Sequence, residues 1–220
     1  MEKELHISKE KLSRELLISF FMEKVLTEGL PTSVFSFCKS INITEAEFYN
    51  FFGSLEILQK SIWIDFHDHV LNILSNNKEY EEYSNREKLL SFYFTFFEML
   101  TVNRSYVLWS LNFGNNKIEN LKQLSSLRKK IVSFGKGLVE DSNENKQLKI
   151  IKKPVALVSE AVWFQFLFLL KFWKEDDSVN FEKTDIAIEK SVNTVFDVFD
   201  NTPLESIIDF GKFLWKEKMS

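Results

Sequence analysis

The sequence predicts an all-α fold, and three observations carry that expectation. Only 6 Gly and 3 Pro occur in 220 residues, so the punctuation that strands and tight turns need is nearly missing. Apolar residues recur three and four positions apart over long stretches. Ser, Thr and Asn stand where those stretches begin or turn, which is where helix caps are needed. Hydrophobic residues make up 45% and charged residues 27%, a balance that suits a globular chain with a sizeable core.

The first helix is expected from Ser8, its N-cap, to Glu28. Leu12, Leu16, Phe20, Met22, Val25 and Leu26 supply its apolar stripe, and Gly29 suits the C′ position beyond its end. Thr32 or Ser33 caps a short second helix, Val34 to Ser40. Asn42 takes the following turn, where a positive φ is often required and Asn tolerates it. Thr44 caps a third short helix, and Glu47 three residues on completes a capping box. Two helices of about two turns separated by Ile41-Asn42-Ile43 suit a helix-turn-helix, whose second helix can enter a major groove. Val34, Phe37, Cys38, Ile43 and Phe48 point inward in that reading, and the first helix and the start of the fourth complete a three-helix core.

Ser54 caps the fourth helix, which runs to about Ser75 on Ile57, Leu58, Ile62, Phe66, Val70 and Leu74. The polar stretch 75–85 reads as a helix end and a loop. Further helices are expected over Arg86–Val102, Ser105–Phe113 and Lys117–Val139, with a loop at Asp141–Asn145. Pro154 opens a long helix to Glu175, Asp176–Asn180 form a turn, and another helix covers Lys183–Phe199. Pro203 starts a last amphipathic helix to Lys216.

The 23 Phe and 5 Trp suit either a large aromatic core or a cavity for an apolar ligand. They concentrate on the Arg86–Val102 helix, on Tyr106, Trp109 and Phe113, and on the Pro154 helix. Phe92, Phe96, Phe97, Trp109, Phe113, Trp163 and Phe166 are the candidate ligand-binding residues, and the effector they suit is apolar or aromatic.

Several function classes are set aside. A nucleophile elbow, a phosphate-cradling Gly loop and a zinc-protease motif are all missing, so no enzyme, catalytic residue or cofactor is expected. Cys38 is the single cysteine, which excludes an intrachain disulfide and a multi-cysteine metal site. Asp65-Phe66-His67-Asp68-His69 is the one metal-like cluster and reads better as solvated helix surface, so no metal is expected. The run Val155–Trp173 is interrupted by Glu160, Gln165 and Lys171, and is read as a buried helix rather than a membrane span. The charged N-terminus does not resemble a signal peptide, and a cytoplasmic location is expected.

Over about Leu12–Trp63 the sequence resembles the N-terminal pattern of the tetracycline-repressor (TetR) family. Gly29, Thr32-Ser33-Val34, Phe52, Ser54 and Leu58 match it, Ile43-Thr44 stands for Val-Ser, and Phe48-Tyr49 for Leu-Tyr. The resemblance implies a two-part fold: an N-terminal three-helix helix-turn-helix DNA-binding domain (1–54) and a C-terminal helical ligand-binding and dimerisation domain (55–220), connected by the fourth helix, about 54–75. It also implies a homodimer through the C-terminal helices, an apolar effector pocket, and double-stranded DNA with a palindromic operator as partner. Carried over residue by residue, the DNA-contacting positions are Thr32 and Ser33 at the second helix, then Thr44, Glu45, Ala46, Glu47, Tyr49 and Asn50.

The departures are electrostatic. The family's turn Gly is Asn42, its Lys-Gly-Thr is Glu45-Ala46-Glu47, and the Lys after the Ser of the fourth helix is Leu55. Between Leu30 and Glu56 the single base is Lys39, against Glu45, Glu47 and Glu56, and the whole chain carries −4. Phosphate contacts supply most non-specific DNA affinity, so compensation is expected from Lys3, Lys9, Lys11 and Arg14. The alternative reading is a TetR-fold protein that has lost DNA binding and holds a lipid or quinone-like ligand. The amphipathic Pro203–Met219 segment can touch a membrane surface in that reading, although packing on protein suits it better.

Overall fold

The computed structural model describes residues 12–112, 121–144 and 155–201. All regular structure among them is helical. In chain order the helices are α1 (Arg14–Thr27), α2 (Val34–Ser40), α3 (Glu45–Tyr49), α4 (Leu55–Ser75), α5 (Asn85–Val102), α6 (Arg104–Asn112), α7 (Ser125–Glu144), α8 (Val155–Glu175) and α9 (Glu182–Asn201). Short 3₁₀ turns at Lys78–Glu82 and Val179–Phe181 join α4 to α5 and α8 to α9.

By packing, the chain divides into two compact units. The first comprises Met1–Asp68 with Met99–Leu127, and the second His69–Glu98 with Arg128–Ser220. In the first unit α1, α2 and α3 enclose a column of rings. Phe21 meets Phe37 edge-on at 5.9 Å, Phe37 meets Phe48 at 6.0 Å, and Phe48 meets Phe52 at 5.9 Å. Leu17, Phe21, Phe37, Phe48, Leu58, Ile62 and Trp63 of this unit are fully buried. The α1 and α6 helices also pack on one another.

In the second unit α5, α7, α8 and α9 bury Phe92, Tyr93, Phe96, Ile131, Phe166, Leu169, Trp173, Ile188 and Val192 completely. The α8 helix is apolar and long enough to cross a membrane by composition alone. Nine of its side chains, from Val158 to Trp173, are instead buried, as the sequence led one to expect of a core helix. It lies against α9, and Tyr93 Oη donates to its Val162 carbonyl at 2.8 Å.

Most expected boundaries hold to within a residue or two, and three shift. The α1 helix starts at Arg14, because Ser13 is extended (φ −127°, ψ 165°) and its hydroxyl accepts from Leu16 N–H; Ser8 lies outside the described residues. The expected Lys117–Val139 helix is broken by a turn at Gln123–Leu124, both buried, and α7 begins only at Ser125. At its far end α7 continues through the expected loop to Glu144. No Gly or Pro stops it between Val139 and Glu144. The Pro203–Lys216 helix, Lys3, Lys9, Lys11 and Phe113 lie outside the described residues.

Candidate nucleic-acid interface and interior polar cluster

Local chemistry fixes the helix-turn-helix. Ser33 caps α2: its hydroxyl accepts from Ser36 N–H at 3.1 Å, and Ser36 Oγ accepts from Ser33 N–H at 3.1 Å. This is a capping box closed by a serine where Glu or Gln is usual. Asn42 turns the chain at φ 57°, and Ile43 N–H returns to the Cys38 carbonyl at 3.0 Å. Thr44 then caps α3. Its N–H and its hydroxyl both donate to Glu47 Oε2 at 2.7 Å, while Glu47 N–H donates back to Thr44 Oγ1 at 3.2 Å.

All eight sequence-derived DNA-contact candidates are described, on or beside α2 and α3. Thr32, Ser33, Thr44, Ala46, Glu47, Tyr49 and Asn50 are exposed, and Glu45 is half-buried. Tyr49 is 52% exposed, its ring edge-on to Phe48 at 5.6 Å. The acidic pair is not uniform. The Thr44 backbone N–H, then its hydroxyl, hold the Glu47 carboxyl below its usual value, so its charge serves the helix start. Glu56 is likewise held by Lys60 Nζ at 2.6 Å.

Lys39 lies on the rim of a concavity between α2 and α3, lined also by Phe35, Cys38, Asn42, Ile43, Thr44 and Glu45. Burial, and next the Glu45 charge, push the Cys38 thiol up, away from a reactive thiolate. One expected source of positive charge is spent inside the unit: Arg14 Nη1 donates to both oxygens of Asp65 at 2.6 Å. His67 Nδ1 meets Asp68 Oδ1 at 2.8 Å, and among the described residues no three His, Cys, Asp or Glu side chains converge as metal ligands would.

The candidate ligand-binding rings divide between the units. Phe92, Phe96, Phe97, Trp163 and Phe166 belong to the second, where Phe166 meets Phe96 at 5.3 Å, Trp163 at 5.5 Å and Phe97 at 5.9 Å. Phe92 stacks on Phe134 at 4.5 Å. Trp109 belongs to the first unit and lies 5.8 Å from the Tyr106 ring.

A polar cluster that the sequence reading did not single out lies inside the first unit. Gln123 Oε1 accepts from Trp63 Nε1 and from Gln59 Nε2, both at 3.3 Å, and its Nε2 donates to the Ser110 carbonyl at 2.6 Å. Beside it Tyr106 Oη and Ser110 Oγ, one helical turn apart on α6, are buried without a hydrogen-bond partner. The visible signal was a Tyr and a Ser four apart inside a short apolar helix, but nothing local announces that both face inward.

A helix-turn-helix built on capped short helices is the element that many DNA-binding regulators carry. The family model described as "Tetracyclin repressor-like, C-terminal domain" matches residues 88–214, more than half of the chain. The chain belongs to the TetR family of transcriptional regulators, whose members bind DNA and act as dimers. A crystal structure from Syntrophomonas wolfei str. Goettingen, of a protein assigned to that family, is similar at a TM-score of 0.65 and 15% identity. The match covers 86% of this chain and 95% of that one, and it supports the fold. No curated protein matches the sequence.

Proposed function

We propose that this chain works as a homodimeric regulator that binds a palindromic operator through residues 1–54 and responds to an effector with an aromatic or apolar body, taken up by residues 55–220. The observation that carries the reading is the doubly capped helix-turn-helix. Ser33 and Thr44 fix the starts of α2 and α3, Asn42 fixes the turn, and Thr32, Ala46, Tyr49 and Asn50 are left exposed around them. Tyr49 and Asn50 are the groove-reading candidates, with Lys39 and Thr32 as phosphate contacts. The two copies meet through α8 and α9, where Phe164 is 65% and Phe168 54% exposed, one turn apart on the same face. The protein acts in the cytoplasm and carries no catalytic role.

Selection of duplexes from a random-sequence library with the full-length protein tests this. Enrichment of two inverted half-sites about one helical turn apart is expected. Recovery of no sequence above background overturns it. A second reading has its own observation: Glu45 and Glu47 flank the exposed face of α3, with Lys39 as the single base between Leu30 and Glu56. On that reading the fold has lost DNA binding and holds a lipid or quinone-like molecule, and a failed selection together with a copurifying lipid favours it.

A further inference from the structure

Burying a hydroxyl without a partner is costly, and natural proteins rarely do so without a reason. The first unit does it twice on one face of α6. Tyr106 is 1% and Ser110 0% exposed, and neither hydroxyl has a hydrogen-bond partner among the described residues. Neighbouring polar demand is met: Gln123 is fixed at both ends of its amide by Trp63, Gln59 and the Ser110 carbonyl. A pinned amide leaves Tyr106 Oη and Ser110 Oγ as the buried groups there with capacity to spare, each able to donate and to accept. Rings lie close by: Tyr106 is tilted against Trp109, at 5.8 Å and 31°, and the Trp63 indole is held by Gln123. None of Gln59, Trp63, Tyr106, Ser110 and Gln123 carries a charge, and a charged ligand buried among them would lack a counter-ion.

We infer that Tyr106 and Ser110 are the polar anchors of a ligand site in the first unit, and that its ligand is an uncharged aromatic molecule bearing a hydroxyl or carbonyl group. This rests on the reading of the chain as an effector-responsive regulator and narrows its effector. The aromatic body packs against Trp109 and Trp63. The polar group bonds the two hydroxyls and removes their desolvation cost, so binding is selective for an oxygenated ring over a bare hydrocarbon. The unliganded protein bears that cost, in the way that function is commonly kept at the expense of stability.

The test uses the full-length protein and three probes of one ring size: 1-naphthol, 1-naphthaldehyde and naphthalene. Affinity is read by calorimetry, and Tm is read without ligand. Expected is tighter binding of an oxygenated probe than of naphthalene. Tyr106→Phe and Ser110→Ala should each weaken that binding about tenfold, leave naphthalene unchanged, and raise the Tm of the unliganded protein. The opposite combination, a loss of Tm in both variants, would show that the hydroxyls already bond ordered water and would overturn the inference. So would equal binding of all three probes, or binding of none. DNA binding measured in parallel separates the two readings. DNA bound without probe binding leaves the regulator and removes this site, whereas probes bound as expected without DNA binding leave the site and remove the regulator.

Discussion

Arg14 and Asp65 tie α1 to α4 within the first unit. Arg14 Nη1 reaches both carboxylate oxygens at 2.6 Å, and the guanidinium carbon sits 5.3 Å from the centre of the Phe52 ring. The pair closes the helix-turn-helix core from one side and uses a cation that would otherwise be available to phosphate. Both side chains are about one-third exposed (35% and 33%), so solvent screens the attraction. A double-mutant cycle of Arg14→Ala and Asp65→Ala is expected to give a coupling of about 1 kcal/mol by thermal or urea unfolding. Coupling indistinguishable from zero removes the pair from the account of this core.

Asp176 makes the junction of α8 and α9 sensitive to acid. Its Oδ1 accepts from the Ser178 N–H at 2.9 Å and hydroxyl at 2.6 Å, and its Oδ2 from the Thr184 N–H at 2.9 Å and hydroxyl at 2.6 Å. Burial alone would push the carboxyl up, but these four hydrogen bonds outweigh it and hold the carboxyl at about 2, below the ordinary 3.8. A depressed folded value means that the stabilisation is complete above the ordinary value and is lost as the pH falls through about 2. Asp176→Ala should cost about 2 kcal/mol at neutral pH. It should also flatten the loss of stability with falling pH in that window, as read by urea unfolding at a series of pH values. An unchanged acid limb argues that the unfolded state holds the same bonds.

The two glycines of α7 should respond in opposite directions. A Cβ on Gly135 would meet Val162 Cγ2 at 3.1 Å and the Ser159 backbone at 3.3 Å, so α7 and α8 pack closely there and a methyl group would have to push α8 back by a few tenths of an ångström. A Cβ on Gly137 would meet nothing within 4 Å. Gly137→Ala should gain about 1 kcal/mol of helix propensity. Gly135→Ala should lose about 1–2 kcal/mol net, because crowding exceeds that gain. Equal gains from both would show that α8 moves aside freely.

The exposed rings of α8 carry the proposed contact between copies. Phe164→Glu combined with Phe168→Glu should leave helicity unchanged and convert the dimer to a monomer by sedimentation velocity at micromolar concentration. A dimer that survives both charges places the interface elsewhere.

Much of the fold was legible because its signals are local. Thr32 or Ser33, Thr44 with Glu47, Asn42 and Ser54 announced their caps and turn in three or four residues each; of the first two Ser33 is the cap, and the others stand as expected. The capping box of Ser84 with Glu87 is an equally local four-residue signal, set in a stretch whose polarity reads as a loop. The turn at Gln123 was not legible. What breaks the helix there is a side chain drawn inward to Trp63 and to the Ser110 carbonyl, contacts 60 and 13 residues away in sequence. The same holds for Tyr106 and Ser110: their residue types were plain, but their burial is a tertiary fact. Charge was the third kind of case. Counting carboxylates in 45–56 gave the right number, but Glu47 and Glu56 are each committed to a neighbour, which composition cannot show.

Engagement of DNA by the helix-turn-helix, despite its acidic composition, is measured by fluorescence anisotropy. Full-length protein is titrated with labelled random-sequence duplex across a salt series, beside Lys39→Ala. Measurable affinity is expected at low salt, falling linearly with salt on a log–log plot, with a slope smaller by about 1 in the variant. No binding at the lowest salt, or affinity indifferent to both salt and Lys39, would contradict it.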